Sequence, residues 1–301
     1  MEGFSILIPT WNNLEYLKIC VDSIKKHSAY NHQIIVHVND GSDGTLEWVK
    51  TNNIDFTHSP ENIGVSLAMN MMRTKVKRDY IYFLNDDMYV LPNWDITLME
   101  EIEKLPNNMF YLSSTMIQPH AIDDVGIHQN YGDSISTFQE KELLSDYQNN
   151  KLVYQDWLGS TRPPSLVHRD TWDIIGGYSI EYSPGMYSDP DFTAKLLFAG
   201  VRHFKGIGSS LAYHFETKTT TRIKRNNGRL QFLLKWGISN STMRDYITRQ
   251  GQPWSRKEEP LDWGKISSKR RFARLKAVWQ LLCKGFGIAK DLTELENLGK
   301  Q

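Results

Sequence analysis

The feature that most constrains this chain is an alternation, repeated through its first 87 residues, of short β-rich runs with segments of helical period. Ser5 to Ile8 is an apolar run stopped by Pro9, and Leu14, Leu17, Val21 and Ile24 then recur at helical spacing. Gln33 to Val38 is a second β-rich run, ended by Asn39, Asp40 and Gly41, with Thr45 placed to cap a helix carrying Leu46 and Val49. Phe56 to Ser59, the helical stretch Val65 to Lys75, and the aromatic and β-branched run Tyr80 to Leu84 continue the pattern. Parallel neighbours need a long connection and a helix supplies it, so this alternation predicts a mostly parallel sheet with right-handed crossovers. Ligands of such sheets lie beyond the carboxyl ends of the strands. The polar ends Thr10 to Asn13, Asn39 to Asp43 and Asn85 to Asp87 are therefore expected to line one crevice.

A chain of 301 residues can close a core without disulfide or metal staples. Its 35 Lys and Arg balance 35 Asp and Glu, and 40% of it is hydrophobic, which excludes a disordered chain or one that coats nucleic acid through net charge. Cys20 and Cys283 alone make neither a disulfide framework nor a structural zinc site, so a reducing compartment is expected. The start of the chain has no signal-peptide pattern and no apolar stretch approaches a membrane span, which predicts a cytoplasmic protein.

Two adjacent carboxylates after an apolar strand, Asp86 and Asp87 in YIYFLNDD, repel each other unless a cation or donors compensate them, and a hard cation is the natural partner. A turn or a helix cap would use the same residues. Asp40 at a strand end suits a base that presents an N–H, as uracil or guanine does, or makes an Asx-turn before Gly41. From about residue 110 the segments lengthen and gain aromatics, up to the glycine-punctuated GGYSIEYSPGMYSDPDF at 176–192.

Four strings in order, SILIPTWNN at 5–13, VNDGSDGT at 38–45, ENIGVSLAMN at 61–70 and FLNDD at 83–87, resemble the family 2 glycosyltransferases over about the first 215 residues. The resemblance implies the A-type (GT-A) α/β fold, a Rossmann-like, mostly parallel sheet flanked by helices, here with a helical C-terminal extension. It implies a nucleotide-sugar-binding half at 1–110, an acceptor-binding and catalytic half at 111–217, and a basic, mostly helical extension at 218–301. Thr10, Asn12, Asp40, Asn62, Gly64 and Asp86 would then contact the donor, with Asp87 and His214 on a divalent metal, Mn2+ or Mg2+. Taken without the resemblance, a histidine after a strand is more often structural. The segment at 176–192 resembles the acceptor side, where a carboxylate serves as general base: Asp189, with Asp191 as rival because Ser188 stands at the first place of the usual acid pair. Either acid could instead cap a helix over Phe192 to Phe198. Trp157, Gly159, Ser160 and Gly177 fall where the family contacts donor sugar or acceptor, although core packing explains Trp157 equally well. The pattern departs at Met69, where many members carry an arginine beside the diphosphate.

The activity so implied is inverting transfer from a nucleoside-diphosphate sugar, UDP-sugar favoured, to a glycan or lipid-linked glycan. Alternatives are a nucleotide-sugar-binding protein without turnover, or a glycosyltransferase acting on nucleic acid through Lys218, Arg222, Lys224, Arg225 and the basic C-terminal residues. Within 265–290, Phe272, Leu275, Trp279, Leu282 and Phe286 recur at three-four spacing with Lys269, Arg270, Arg274, Lys276 and Lys284 mostly on the other side. Such a helix would either lie on an anionic membrane, holding the protein peripherally on its inner face, or pack on the domain with a solvated basic side.

Overall fold

The computed structural model describes residues 2–120, 125–159, 162–184, 186–217, 227–257 and 259–284. The chain divides into two compact units, Met1–Asn226 with Thr248–Glu259, and Asn227–Ile247 with Pro260–Gln301.

The first unit begins with β1 (Glu2–Trp11), α1 (Leu14–His27), β2 (Asn31–Asn39), α2 (Thr45–Thr51), β3 (Asp55–Ser59), α3 (Gly64–Arg73) and β4 (Tyr80–Phe83). It continues with β5 (Met88–Val90), α4 (Trp94–Glu103), β6 (Phe110–Gln118), β7 (Ile127–His128), α5 (Glu140–Gln148), β8 (Trp157–Leu158) and β9 (Ser165–His168). It closes with α6 (Arg169–Ile175), α7 (Ser188–Phe198) and β10 (His203–His214). One sheet runs β3-β2-β1-β4-β9-β6-β10-β5, with β7 beside β6 and β8 beside β10. The β3-β2-β1-β4 half is parallel, as is β6 with β10, whereas β9, β5 and β8 pair antiparallel.

Both faces of the parallel half are covered, which is why its strands are continuous apolar runs rather than alternating ones. Phe4, Ile6 and Ile8 pack with Leu17, Val21 and Ile24 of α1 on one face. Leu7, Ile35 and Phe83 pack with Met69 and Met72 of α3 on the other. Position 69, where the resemblance pointed to an arginine beside the diphosphate, holds a fully buried Met69 that faces the core.

Three boundaries differ from the sequence reading. The α2 helix starts at Thr45 behind an N-cap at Gly44, whose φ of 95° suits glycine, and Asp43 Oδ1 accepts from Thr45 N at 3.1 Å and Thr45 Oγ1 at 2.6 Å. The cap is a carboxylate two residues upstream, a role the threonine hydroxyl was expected to fill. The α7 helix starts at Ser188, four residues before Phe192, so Asp189 and Asp191 both lie in its first turn. Thr248–Glu259 returns to the first unit: Leu158 N donates to Gln252 O at 2.7 Å and Trp254 N to Asp156 O at 2.9 Å.

The second unit contains α8 (Gly228–Trp236), α9 (Asn240–Thr242), a π turn at Met243–Ile247 and α10 (Trp263–Lys284). Within it, α10 buries Ile266 and Ala277, while Phe272, Leu275, Trp279 and Leu282 are exposed. The apolar stripe read from the sequence is therefore the uncovered side of the helix. Lys218, Arg222, Lys224, Arg225, Ser160, Phe286 and the Lys284 side chain lie outside the described residues. No described helix is long and apolar enough to cross a membrane.

Candidate active site

The register of β1 on β2 pairs Thr10 with Val38 and Trp11 with Asn39, so Asn12 and Asp40 emerge side by side beyond the sheet. Asn12 Nδ2 donates to Asp40 Oδ2 at 2.8 Å, and Gly41 N donates to Asn12 Oδ1 at 2.9 Å. Both residues hold left-handed backbone, φ 46° and 63°, which Asn and Asp tolerate better than other non-glycine residues. Asp40 Oδ1 also accepts from Ser42 N at 3.1 Å, the Asx-turn. Hydrogen bonds from Asn12 and then Ser42 hold its carboxyl below the usual range, so it stays an acceptor at neutral pH. The Asx-turn is thus present, and the half-buried carboxylate keeps its charge. Thr10 lies beneath this corner: its carbonyl accepts from Asn39 Nδ2 at 3.2 Å, and its buried Oγ1 makes no hydrogen bond.

Asp86 and Asp87 form the turn between β4 and β5, both nearly buried. The pairing of β5 with β10 sets His214 opposite Met88, and Phe215 N donates to Asp87 O at 3.1 Å. That register brings His214 Nε2 to 3.4 Å from Asp87 Oδ1. Thr217, which the sequence reading passed over, donates from N at 2.9 Å and from Oγ1 at 2.8 Å to Asp87 Oδ2. Burial alone would raise the Asp87 carboxyl, but the charge and hydrogen bond of His214, followed by the two Thr217 donors, hold it below its ordinary value. Burial likewise opposes the charge on His214, and Asp87, with Glu216 behind it, raises the imidazole nonetheless.

Asp189 is partly open to solvent, yet lost hydration pushes its carboxyl up to about 7, only partly offset by a hydrogen bond from Tyr178 and the charge of Arg162. Tyr178 OH reaches Asp189 Oδ1 at 3.4 Å. Arg162 also acts electrostatically on His214, so Asp189 and the Asp87–His214 pair share one neighbourhood. Asp191 is fully buried and acts on the Tyr182 hydroxyl instead. Arg162 and Tyr178 had no distinctive signal in the sequence: one is a lone cation among Ser, Thr and Pro, the other one aromatic among several.

Asn62 Oδ1 accepts from Gly64 N at 2.9 Å, and Gly64, at φ 76°, lies so close to Pro184 that a Cβ would stand 2.6 Å from its Cα. Val65 N donates to Pro184 O at 3.4 Å. This contact joins the start of α3 to the segment that leads into α7. Gly177 packs on Asn70 and Trp172, where at φ 63° a Cβ would clash with Asn70 Oδ1, while Lys195 Nζ donates to its carbonyl at 2.6 Å. Trp157 is 2% exposed, lies flat on Gly206 and donates from Nε1 to Thr115 Oγ1 at 3.0 Å. Of its two sequence readings, core packing matches this burial and the close approach of Gly206 to the ring. Gly159 packs on the backbone of Gln250.

Among the described residues no group of three or more His, Cys, Asp or Glu side chains is arranged to hold a metal ion. The pair Asp87 and His214 nevertheless fits one: two ligands about 2.1 Å from a common ion, at right to tetrahedral angles, stand about 3.0–3.4 Å apart. The observed N···O separation is 3.4 Å. A cation held by so few protein groups takes its remaining ligands from water and phosphate oxygens.

A mixed sheet with an acidic turn and a carboxylate-bearing helix along one end defines the GT-A fold, and solved structures carry the likeness. The mannosyltransferase PcManGT from Pyrobaculum calidifontis, in complex with GDP-Man and Mn2+, has a TM-score of 0.52 at 14% identity over 100% of this chain and 81% of that one. GalNAc-T7 with UDP, GalNAc and Mn2+ has a TM-score of 0.57 at 15% identity over 98% and 58% of the respective chains. The profile of glycosyl transferase family 2 matches residues 5–163, and the chain belongs to that family. Two glycosyltransferases of Streptococcus pneumoniae serotype 4 are similar: GlyG, 30% identical over 161 residues, and GlyA, 26% identical over 164. The matched segments are 52% and 50% of this chain, but only 48% of GlyG and 23% of GlyA.

Proposed function

We propose that the chain is an inverting, metal-dependent glycosyltransferase that moves a sugar from a UDP-sugar donor to a hydroxyl of a glycan or lipid-linked glycan. The observation that carries this reading is geometric: Asp87 Oδ1 and His214 Nε2 stand 3.4 Å apart at the turn after β4, and Asp189, its carboxyl raised to about 7, lies in the neighbourhood of the same arginine as His214. A carboxyl raised toward neutrality suits a general base. Asp40 and Asn12 orient the base, for which uracil and guanine both present a suitable N–H; GalNAc-T7 with UDP and PcManGT with GDP-Man illustrate the two. Asp87 and His214 would hold the cation, with Thr217 fixing the carboxylate, and Asp86 beside them would bind the ribose or a cation-bound water. A divalent ion there supplies charge neutralisation for the diphosphate as it departs. Asp189, half ionised near neutrality, accepts the proton of the attacking hydroxyl, while Tyr178 orients its carboxylate.

The reading is tested by thermal shift against UDP- and GDP-sugars with and without Mn2+, followed by assay of nucleoside diphosphate release. UDP-sugars are expected to raise the Tm most, Mn2+ to be required for that gain, and chelation to remove both gain and turnover. Stabilisation by donor that is indifferent to Mn2+ would refute metal dependence, and release of pyrophosphate would refute glycosyl transfer.

A further inference from the structure

The second unit carries a surface that the transfer reaction does not use. On α10, Phe272, Leu275, Trp279 and Leu282 form one stripe, each at least 68% exposed. Ile266 and Ala277, on the opposite side of the helix at about 100° per residue, are the residues it buries. Four exposed cations, Lys265, Lys269, Arg271 and Lys276, flank the stripe, Arg270 and Arg274 lie farther round the helix, and no acid lies between Trp263 and Leu282. A groove of about 340 Å³ between α8 and α10, lined by Leu234, Trp236, Val278 and Leu281, extends the apolar surface, with Lys235 and Arg274 also lining it.

We infer that this face of α10 is a docking surface for an anionic lipid bilayer. Exposed apolar residues in such a row cost free energy in water and regain it only against an apolar phase. The flanking cations choose which phase. Over residues 227–247 and 260–282 the unit has nine lysines and arginines against Asp245 and Asp262, in a chain whose total charge is zero. A second copy of the same face would meet like charge. A nucleic acid would use the cations but leave Phe272, Leu275, Trp279 and Leu282 in water. An anionic membrane answers both components, with Trp279 suited to the headgroup level.

The experiment is flotation of the full chain with vesicles of phosphatidylcholine containing 30% phosphatidylglycerol, compared with pure phosphatidylcholine. Binding is expected only to the anionic vesicles and is expected to weaken in 0.5 M salt. The double variant Leu275→Ser/Trp279→Ser should lower partitioning about tenfold or more, and Lys269→Gln/Lys276→Gln about 30-fold, at roughly fivefold per cation. All four side chains are exposed, so both variants should keep the wild-type Tm. The proposal is overturned if wild type does not float, or if the serine variant floats as well as wild type. It is equally overturned if the stripe instead mediates a concentration-dependent dimer, or if single-stranded DNA is bound while vesicles are ignored. Flotation does not depend on transfer activity, so its outcome is separate from that of the proposed function.

Discussion

Replacing Asp189 by asparagine should remove catalysis and make the protein's stability less dependent on pH, and the two effects together identify the base. In the folded chain Asp189 keeps its proton up to about 7, whereas once unfolded it titrates at its ordinary 3.8. Between those values the unfolded state has lost a proton that the folded state retains, so stability falls as pH rises through the window and levels off above about 7. At about 1.4 kcal/mol per pH unit the cost reaches about 4 kcal/mol as an upper bound, since the open side of the carboxyl is screened by solvent. Asp189→Asn abolishes this cost but introduces an amide donor that costs about 1–3 kcal/mol if unpaired. The variant should therefore be more stable than wild type by about 1–3 kcal/mol at pH 8 and less stable at pH 4, a crossover measurable by urea denaturation at both pH values. Its turnover should fall by about 10²–10⁴, the usual contribution of a positioned base. Wild-type kcat/KM should rise with pH along a limb centred near 7. Activity within a few-fold of wild type, or parallel stability curves across that range, would refute the assignment.

Tyr178→Phe removes the donor that lowers the Asp189 carboxyl, so the ascending limb of the pH–rate profile should move above 7; an unmoved limb would deny the contact a role. Thr217→Val deletes one of two donors to Asp87 and should cost about 1–2 kcal/mol at pH 7, read as a Tm loss of several degrees. Because the Asp87 carboxyl is held low in the folded chain, that loss should persist above 3.8 and fade as the pH falls further. Gly64→Ala should destabilise by about 2–4 kcal/mol, since φ 76° and a Cβ at 2.6 Å from the Pro184 backbone leave no relaxed alternative. Asn12→Ala should weaken donor binding about tenfold in titration calorimetry while leaving turnover of bound donor nearly unchanged.

The parallel half of the sheet was legible because each piece of it is local. A β-rich run, a polar stop and a helix-period segment lie within about 25 residues, and the crevice at the strand ends follows from topology. The Asn12–Asp40 corner could be expected for the same reason, since both residues follow their strands directly. The antiparallel strands were not legible. β9 inserts between β4 and β6 with a run of only four residues, and β8 is two residues long, so neither shows a period. The Thr217 clamp on Asp87 depends on the pairing of β10 with β5 across more than a hundred residues, which no local pattern encodes. Trp157 was ambiguous for a related reason. An indole suits a sugar face and a core equally, and only the missing Cβ of Gly206 beneath it decides which.

The choice between Asp189 and Asp191 shows what three dimensions add to a motif. Two positions apart on a helix, their side chains leave the axis about 200° apart, so both cannot face one acceptor hydroxyl. In α7 the division is between Tyr178 with Arg162 on one side and Tyr182 on the other. The side that shares Arg162 with His214 is the side on which a donor diphosphate and an acceptor could meet. The early start of α7 at Ser188 sets this phase: Asp191 N bonds to the carbonyl of Tyr187, itself at φ 75°, so the first turn is complete before Phe192. Had the helix begun at Phe192, both acids would lie in a loop and each could turn toward the crevice. The unusual backbone at Tyr187 is therefore part of what makes Asp189, rather than Asp191, the base in the proposed reaction.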